Sequence, residues 1–205
     1  MKRILFVCHG NICRSPMAEF VMKDLVEKAG LSGQFEIASA ATSTEEIGNP
    51  IYPPARRKLA EHGISCADKT ARQMTRRDYE TYDYVIAMDH NNLRNMTRFV
   101  GSDPDHKVSL MMDHTRRPGD VADPWYTGDF EATWQDVLEG CTSLLEKLLK
   151  KRMFSGRGLD SEVSDSLYVW SAQLAHEAAY ISLARSEYVE RLCGKARALL
   201  SDMSG

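Results

Sequence analysis

The sequence predicts an α/β fold: a four-stranded parallel sheet, doubly wound, flanked by helices on both faces, with a helical extension at the C-terminal end. Two observations carry this. Short apolar, β-branched runs alternate along the chain with helical stripes. The first run, residues 3–8, is unbroken rather than alternating, as in a strand buried on both faces.

Residues 3–8 end in a turn, and Ser15-Pro16 marks a helix start. Proline at the first helical position sacrifices no hydrogen bond. Met17, Phe20, Val21, Leu25 and Val26 form the stripe of this helix, Glu19 and Asp24 lie in its early turns, and Gly30 or Gly33 ends it. Residues 35–40 are the second strand, and a polar, proline-bearing loop covers 42–54. Residues 55–62 form a short helix stopped by Gly63. Residues 84–88 are the third strand, ending at Asp89, and 91–100 are helical. Residues 107–112 are the fourth strand, followed by a loop with Pro118, Gly119 and Asp123-Pro124. Residues 130–151 form a long helix, with Trp134, Val137, Leu138, Cys141, Leu144, Leu145 and Leu148 at three- and four-residue spacing. Ligands of such sheets bind beyond the carboxyl ends of the strands. Cys8, Ser39, Asp89 and the loop after Met112 fall there.

The chain changes character near Lys151, dividing it into residues 1–151 and 152–205. Ser155-Gly156-Arg157-Gly158 reads as a linker. Beyond it Leu167, Trp170, Leu174, Ala178, Ile181, Tyr188, Leu192 and Leu199 form a stripe that fits one long helix or a hairpin broken near 182–186. This extension carries no residue pattern for chemistry. It suits packing on the domain, on a protein partner or on a second copy, or a regulatory role.

The 205 residues are 43% hydrophobic, enough for a core without disulfides. A formal charge of −3 and no basic stripe argue against nucleic acid. No apolar run reaches the ~18 residues a membrane span needs, and the N-terminal apolar stretch is too short for a signal peptide. The five cysteines, Cys8, Cys13, Cys66, Cys141 and Cys193, are odd in number and lack CxxC or zinc spacing. That points to the reducing cytoplasm, with no metal or cofactor.

The informative segment is Cys8-His9-Gly10-Asn11-Ile12-Cys13-Arg14-Ser15-Pro16. A cysteine and an arginine six positions apart arise readily by chance; the strand–loop–helix context gives the pair meaning. Backbone amides in such a turn converge into an anion nest, and the helix behind adds free donors and a positive dipole end. Gly10 allows backbone shapes that a side chain forbids, and Asn11 tolerates left-handed geometry. Arg14 offers a bidentate grip on phosphate. Thiols at helix N-termini or beside cations ionise more readily than free cysteine, as a sulfur nucleophile requires. Ser15 can donate to that sulfur. The second piece is Asp123-Pro124-Trp125-Tyr126. A carboxyl beside a phosphate dianion favours its protonated form, so Asp123 is the candidate general acid. Trp125 and Tyr126 can wall the pocket and stack on an aryl ring.

These motifs, with Met17-Ala18-Glu19, Ser39-Ala40-Ala41-Thr42, Ala71-Arg72-Gln73, Asp83-Tyr84 and Met88-Asp89, resemble the low-molecular-weight protein tyrosine phosphatases over about residues 1–150. The resemblance implies a flavodoxin-like fold and metal-independent hydrolysis of phosphotyrosine on protein substrates. It makes Cys8 the nucleophile of a phosphocysteine intermediate, and Arg14 with the backbone from His9 through Gly10, Asn11, Ile12 and Cys13 the phosphoryl cradle. Asp123 becomes acid and then base, and Asn11, Ser15 and Ser39 a shape-holding network. Cys13 becomes a second thiol that can form a peroxide-protective disulfide with Cys8. Two positions depart from the pattern. Thr44-Glu45-Glu46-Ile47 lacks the aromatic that relatives often carry near position 45, and Lys69 stands where they often place a histidine.

Alternatives within and outside the fold are weighed on single features. Arsenate reduction needs a relay thiol near the end of the third strand, and residues 81–98 contain no cysteine. Phosphoarginine-preferring members tend to place threonine at the position of Ile12, whose apolar surface suits an aryl ring. A phosphopeptide-binding scaffold would not require both Cys8 and Asp123.

Overall fold

The computed structural model describes residues 1–155, with side chains through residue 150. The central strand β1 (Lys2–Cys8) pairs in parallel with β2 (Phe35–Ala41) on one side and β3 (Tyr84–Ala87) on the other, and β4 (Val108–Leu110) pairs with β3. The order is therefore β2-β1-β3-β4, all parallel. It reverses between β1 and β3, and in doubly wound sheets the crevice at that reversal is where ligands bind. Cys8 ends β1 at this point.

Period-two alternation on β1 feeds two cores. Ile4, Phe6 and Cys8 face α1 (Arg14–Lys28), α2 (Pro53–Glu61) and α6 (Phe130–Ser155), packing with Met17, Val21, Leu59, Val137 and Cys141. Leu5 and Val7 face α3 (Arg76–Thr81) and α4 (His90–Val100), packing with Met74, Tyr79, Met96 and Val100. Ile4, Leu5, Phe6 and Val7 have no exposed surface. Hence the unbroken apolar run.

The structure adds two short helices that the apolar pattern does not reveal. In α3 only Asp78 and Tyr79 are buried, so no stripe exists; its start is set by a capping box between Thr75 and Asp78. α5 (Pro124–Thr127) is a single turn with Asp123 as its N-cap and Pro124 at its first position. α1 begins at Arg14, so Pro16 is its third residue rather than its first. That position is equally free of need for an N–H. β4 is shorter than its apolar run because Met112 turns into a 3₁₀ segment with Asp113 and His114. α6 continues to Ser155, four residues past the expected end. The remainder of the expected extension lies outside the described residues. Among those described, no helix is long and apolar enough to cross a membrane.

Gly140 of α6 is fully packed against the end of the sheet. A Cβ there would lie 2.4 Å from Met111 Cγ, and Met111 is completely buried. Gly140→Ala gains roughly 1 kcal/mol of helix propensity but overpacks the core at a cost of about 1–3 kcal/mol. We expect it to lower stability by about 1 kcal/mol, read as a reduced urea midpoint at unchanged m-value. A raised midpoint would show that Met111 moves aside freely.

Candidate active site

The loop between β1 and α1 is held at its start by a continuation of the β1–β2 pairing: Thr42 N donates to Cys8 O at 2.8 Å and Ser43 N to His9 O at 3.0 Å. Its turn is made by Asn11, at φ 59° and fully buried. A non-glycine residue holds that conformation only where its surroundings over-determine it. Asn11 Oδ1 accepts from Arg72 N at 3.2 Å, and Nδ2 donates to Ser15 Oγ at 2.9 Å and Ser39 Oγ at 2.7 Å. Gly10, by contrast, needs no positive φ. Its small size leaves room for Glu46, whose Cγ would stand 3.0 Å from a Cβ.

The polarity of this network is fixed from its far end. Ser39 Oγ donates to Glu19 Oε2 at 2.6 Å, so it accepts from Asn11. Asn11 spends its second amide hydrogen on Ser15, whose own proton is then free for Cys8 Sγ, 3.0 Å away; Ala40 O is farther, at 3.4 Å. Asn11 N also donates to Cys8 Sγ at 3.3 Å. The sulfur therefore receives two hydrogen bonds. At the root, Glu19 pairs with Lys69 at 3.0 Å and Lys23 at 2.5 Å. Burial alone would raise the Glu19 carboxyl, but Lys69, Lys23 and Ser39 outweigh it and hold it below the ordinary glutamate value. Lys69 also donates to Ser39 O at 3.2 Å, taking the supporting place that the resemblance gives to a histidine.

Arg14 is 4% exposed and sits between two carboxylates: Nη1 lies 2.6 Å from Asp89 Oδ2 and Nη2 2.5 Å from Asp123 Oδ2. Burial would lower its pKa, but negative charge at Cys8, Asp123 and Asp89 raises it above the usual guanidinium value. Asp89 also caps α4, accepting from Asn92 N at 2.5 Å. Asp123 Oδ1 likewise accepts from Trp125 N at 3.1 Å. α1, unlike α3, α4 and α5, has no side-chain cap, so its first amides point into the loop unused by a cap. Burial, followed by the charges at Cys8 and Asp123, pushes the Cys13 thiol up to about 12, and it stays protonated at neutral pH.

Cys8, Asn11 and Ser15 thus form one hydrogen-bonded group, Arg14, Asp89 and Asp123 form a second, and the charge at Cys8 acts on Arg14. His9 points outward, 3.0 Å from Glu45 Oε2 at the rim, and Ile12 is half-buried. Trp125 and Tyr126 are 60% and 86% exposed; Trp125 lies 5.7 Å from the Tyr52 ring, and Tyr126 stands in solvent. The strand-end position of Asp89 is legible in the sequence, but its hold on Arg14 is not. An aspartate before a helix reads as a cap, and that reading hides its second oxygen. Glu19 likewise reads locally as an early-turn acid, and its hold on Ser39 shows only in the structure. Among the described residues no cluster of three or more His, Cys, Asp or Glu could hold a metal ion.

Residues 3–154 match the family model for low molecular weight phosphotyrosine protein phosphatase. The chain is 38% identical to the low molecular weight protein-tyrosine-phosphatase YfkJ of Bacillus subtilis over 154 residues, 74% of this chain and 99% of that protein. It is 40% identical to the rat low molecular weight phosphotyrosine protein phosphatase over 151 residues, 71% of this chain and 95% of the rat protein. Among solved structures, SP-PTP, the low molecular weight protein tyrosine phosphatase of Streptococcus pyogenes, is 42% identical with a TM-score of 0.67, covering 77% of this chain and 100% of that one.

The Glu19–Lys69 pair generates a stability prediction. Lys69→Met should destabilise by about 3 kcal/mol, the low end for breaking a buried pair, because Lys23 still holds Oε1. Glu19 titrates lower folded than unfolded. Its contribution is therefore complete above the unfolded value of about 4.3 and is lost as pH falls through the lowered one. Urea midpoints of the native protein and Glu19→Gln should differ at pH 7 and draw together as pH falls below the unfolded glutamate value of about 4.3. A gap independent of pH would show that the carboxylate charge is not what matters.

Proposed function

Because the chain belongs to the low molecular weight phosphotyrosine protein phosphatase family, we propose that it hydrolyses phosphotyrosine on protein substrates through a phosphocysteine at Cys8. The observation that carries this reading is the pair of hydrogen bonds aimed at Cys8 Sγ from Asn11 N and Ser15 Oγ, at the uncapped start of α1.

In the first step the sulfur attacks phosphorus; the S–P bond forms as the P–O bond to the phenol breaks. Amides from the loop and α1 carry the equatorial oxygens, and Arg14 spans two of them. Asp123 occupies one arm of Arg14 in the ligand-free site. On this reading the phosphoryl group takes that arm, while Asp89 keeps the other and aims the guanidinium. The released Asp123 takes up a proton from solvent, stands beside the leaving oxygen and passes that proton to it. In the second step Asp123 takes a proton from water as the water oxygen attacks phosphorus. The S–P bond breaks, and Ser15 donates to the departing sulfur.

His9, Gly10, Asn11, Ile12, Cys13 and Ser15 make up the substrate cradle, with Trp125 and Tyr126 as an outer aromatic rim. Half-buried Ile12 presents apolar surface where a guanidinium would need a hydroxyl, which favours an aryl over a phosphoarginine substrate. The catalytic domain is assigned to residues 1–151. The four cysteines among the described residues are free and buried, which supports a reducing, cytoplasmic setting. Peroxide protection through a Cys8–Cys13 disulfide would use a thiol held at about 12, so its closure should be slow.

Cys8→Ser should abolish turnover while the protein still binds inorganic phosphate. Asp123→Ala should slow phenyl phosphate roughly 100-fold or more and 2,4-dinitrophenyl phosphate much less, since that leaving group needs no proton. Equal slowing of both esters would contradict the acid role. Initial rates on matched phosphotyrosine and phosphoarginine peptides test the substrate, and a faster phosphoarginine reaction would replace it.

A further inference from the structure

The segment that carries Asp123 is pinned on both sides of the preceding residue. Ala122 N donates to Asp136 Oδ2 at 3.0 Å, and Thr133 Oγ1 donates to Ala122 O at 2.9 Å. Both side chains come from the first two turns of α6, which is packed on the sheet through Trp134, Val137 and Cys141. Thr133 is fully buried and the Asp136 side chain 15% exposed. The competing acceptor for the Thr133 hydroxyl, Asp129 O, is farther at 3.2 Å. One residue earlier, Val121 N donates to Met88 O at 2.8 Å, and Asp120 Oδ1 meets His90 at both its backbone N and its ring Nδ1. Three consecutive residues before the acid are thus anchored, to α4, to Met88 just past β3, and to α6.

The Ala122 clamp differs from the other two anchors because it fixes both polar groups of one residue. Together these set the direction in which the chain enters Asp123, and therefore where the Asp123 carboxyl can swing. This matters if Asp123 must leave Arg14 and reach a leaving oxygen in one defined position. Displacement of about 1 Å in a reacting group can cost up to ~100-fold in rate.

We propose that Thr133 and Asp136 are positioning residues for proton transfer, holding the Ala122 peptide so that Asp123 meets the leaving oxygen. The inference rests on the phosphatase reading above. Asp136 also faces Arg117, 3.1 Å from its Oδ1, which Glu139 shares at 2.5 Å. A purely structural role through that surface pair is the competing account, and the two separate experimentally. Asp136→Asn keeps an oxygen for Ala122 N while removing the charge that faces Arg117. Asp136→Ala removes both. Thr133→Val keeps shape and loses the hydroxyl, and Thr133→Ser restores it.

The full chain is assayed for kcat and KM on phenyl phosphate and 2,4-dinitrophenyl phosphate, with Asp123→Ala alongside. We expect Asp136→Ala and Thr133→Val each to lower kcat on phenyl phosphate about tenfold, with little change on the dinitrophenyl ester or in KM. Asp136→Asn and Thr133→Ser should recover most of the loss. Should Asp136→Ala fail to fold, the isosteric Thr133→Val decides alone. Equal slowing of both esters, no slowing, or an Asn variant as impaired as the Ala variant would overturn the proposal. If Asp123→Ala itself showed no leaving-group dependence, the phosphatase mechanism would fall first, a separate result.

Discussion

The side chain of Asn11 donates to Ser15 and Ser39, accepts from Arg72 N, and is shut off from solvent. The loop's shape and the chemistry of its sulfur both depend on that arrangement. The left-handed backbone at Asn11 is tolerable because the amide has no better alternative: an unpaired buried amide would cost on the order of 1–3 kcal/mol per lost partner. The same bonds decide where hydroxyl protons point. Glu19 makes Ser39 a donor, Ser39 accepts from Asn11, and Asn11 frees the Ser15 proton for Cys8. A carboxylate in the second turn of α1 thus sets the hydrogen bond that Cys8 Sγ receives without touching it. Asn11→Ala would break this line in the middle, whereas Lys69 acts only at its root.

Charge around Arg14 is arranged on the same economy. Two carboxylates hold one almost wholly buried guanidinium, and buried charges of this kind persist only when paired. Asp89 is fixed by its second task as the cap of α4. Asp123 sits at a one-turn helix on a loop, is 25% exposed, and is the partner able to give way. The asymmetry gives a physical reason for assigning permanent orientation to Asp89 and movement to Asp123.

The parts legible in the sequence are those written in a local pattern. The unbroken run ending at Cys8, the stripe of α6 and the strand–helix alternation fixed the sheet and both covering layers. Cys8, Arg14 and Asp123 stood out because loop and helix-start chemistry is local too. What stayed hidden is long-range or doubly used. Asp89 reaches back 75 residues to Arg14, and Arg72 N lends its hydrogen to Asn11 across 61 residues. No spacing rule announces either. The capping boundary of α3 was readable in Thr75 and Asp78, but its six residues bury too little apolar surface to form a stripe. Gly10 was explained by backbone freedom when the structure asks only for space beside Glu46.

The account stands or falls on a covalent bond between the sulfur of Cys8 and phosphorus. Rapid-quench trapping with radiolabelled para-nitrophenyl phosphate, followed by peptide mapping, tests it most directly. It predicts one phosphoryl group per chain on the peptide containing Cys8, formed together with a stoichiometric burst of nitrophenol. Turnover with no label on that peptide, or with label on another residue, would contradict it.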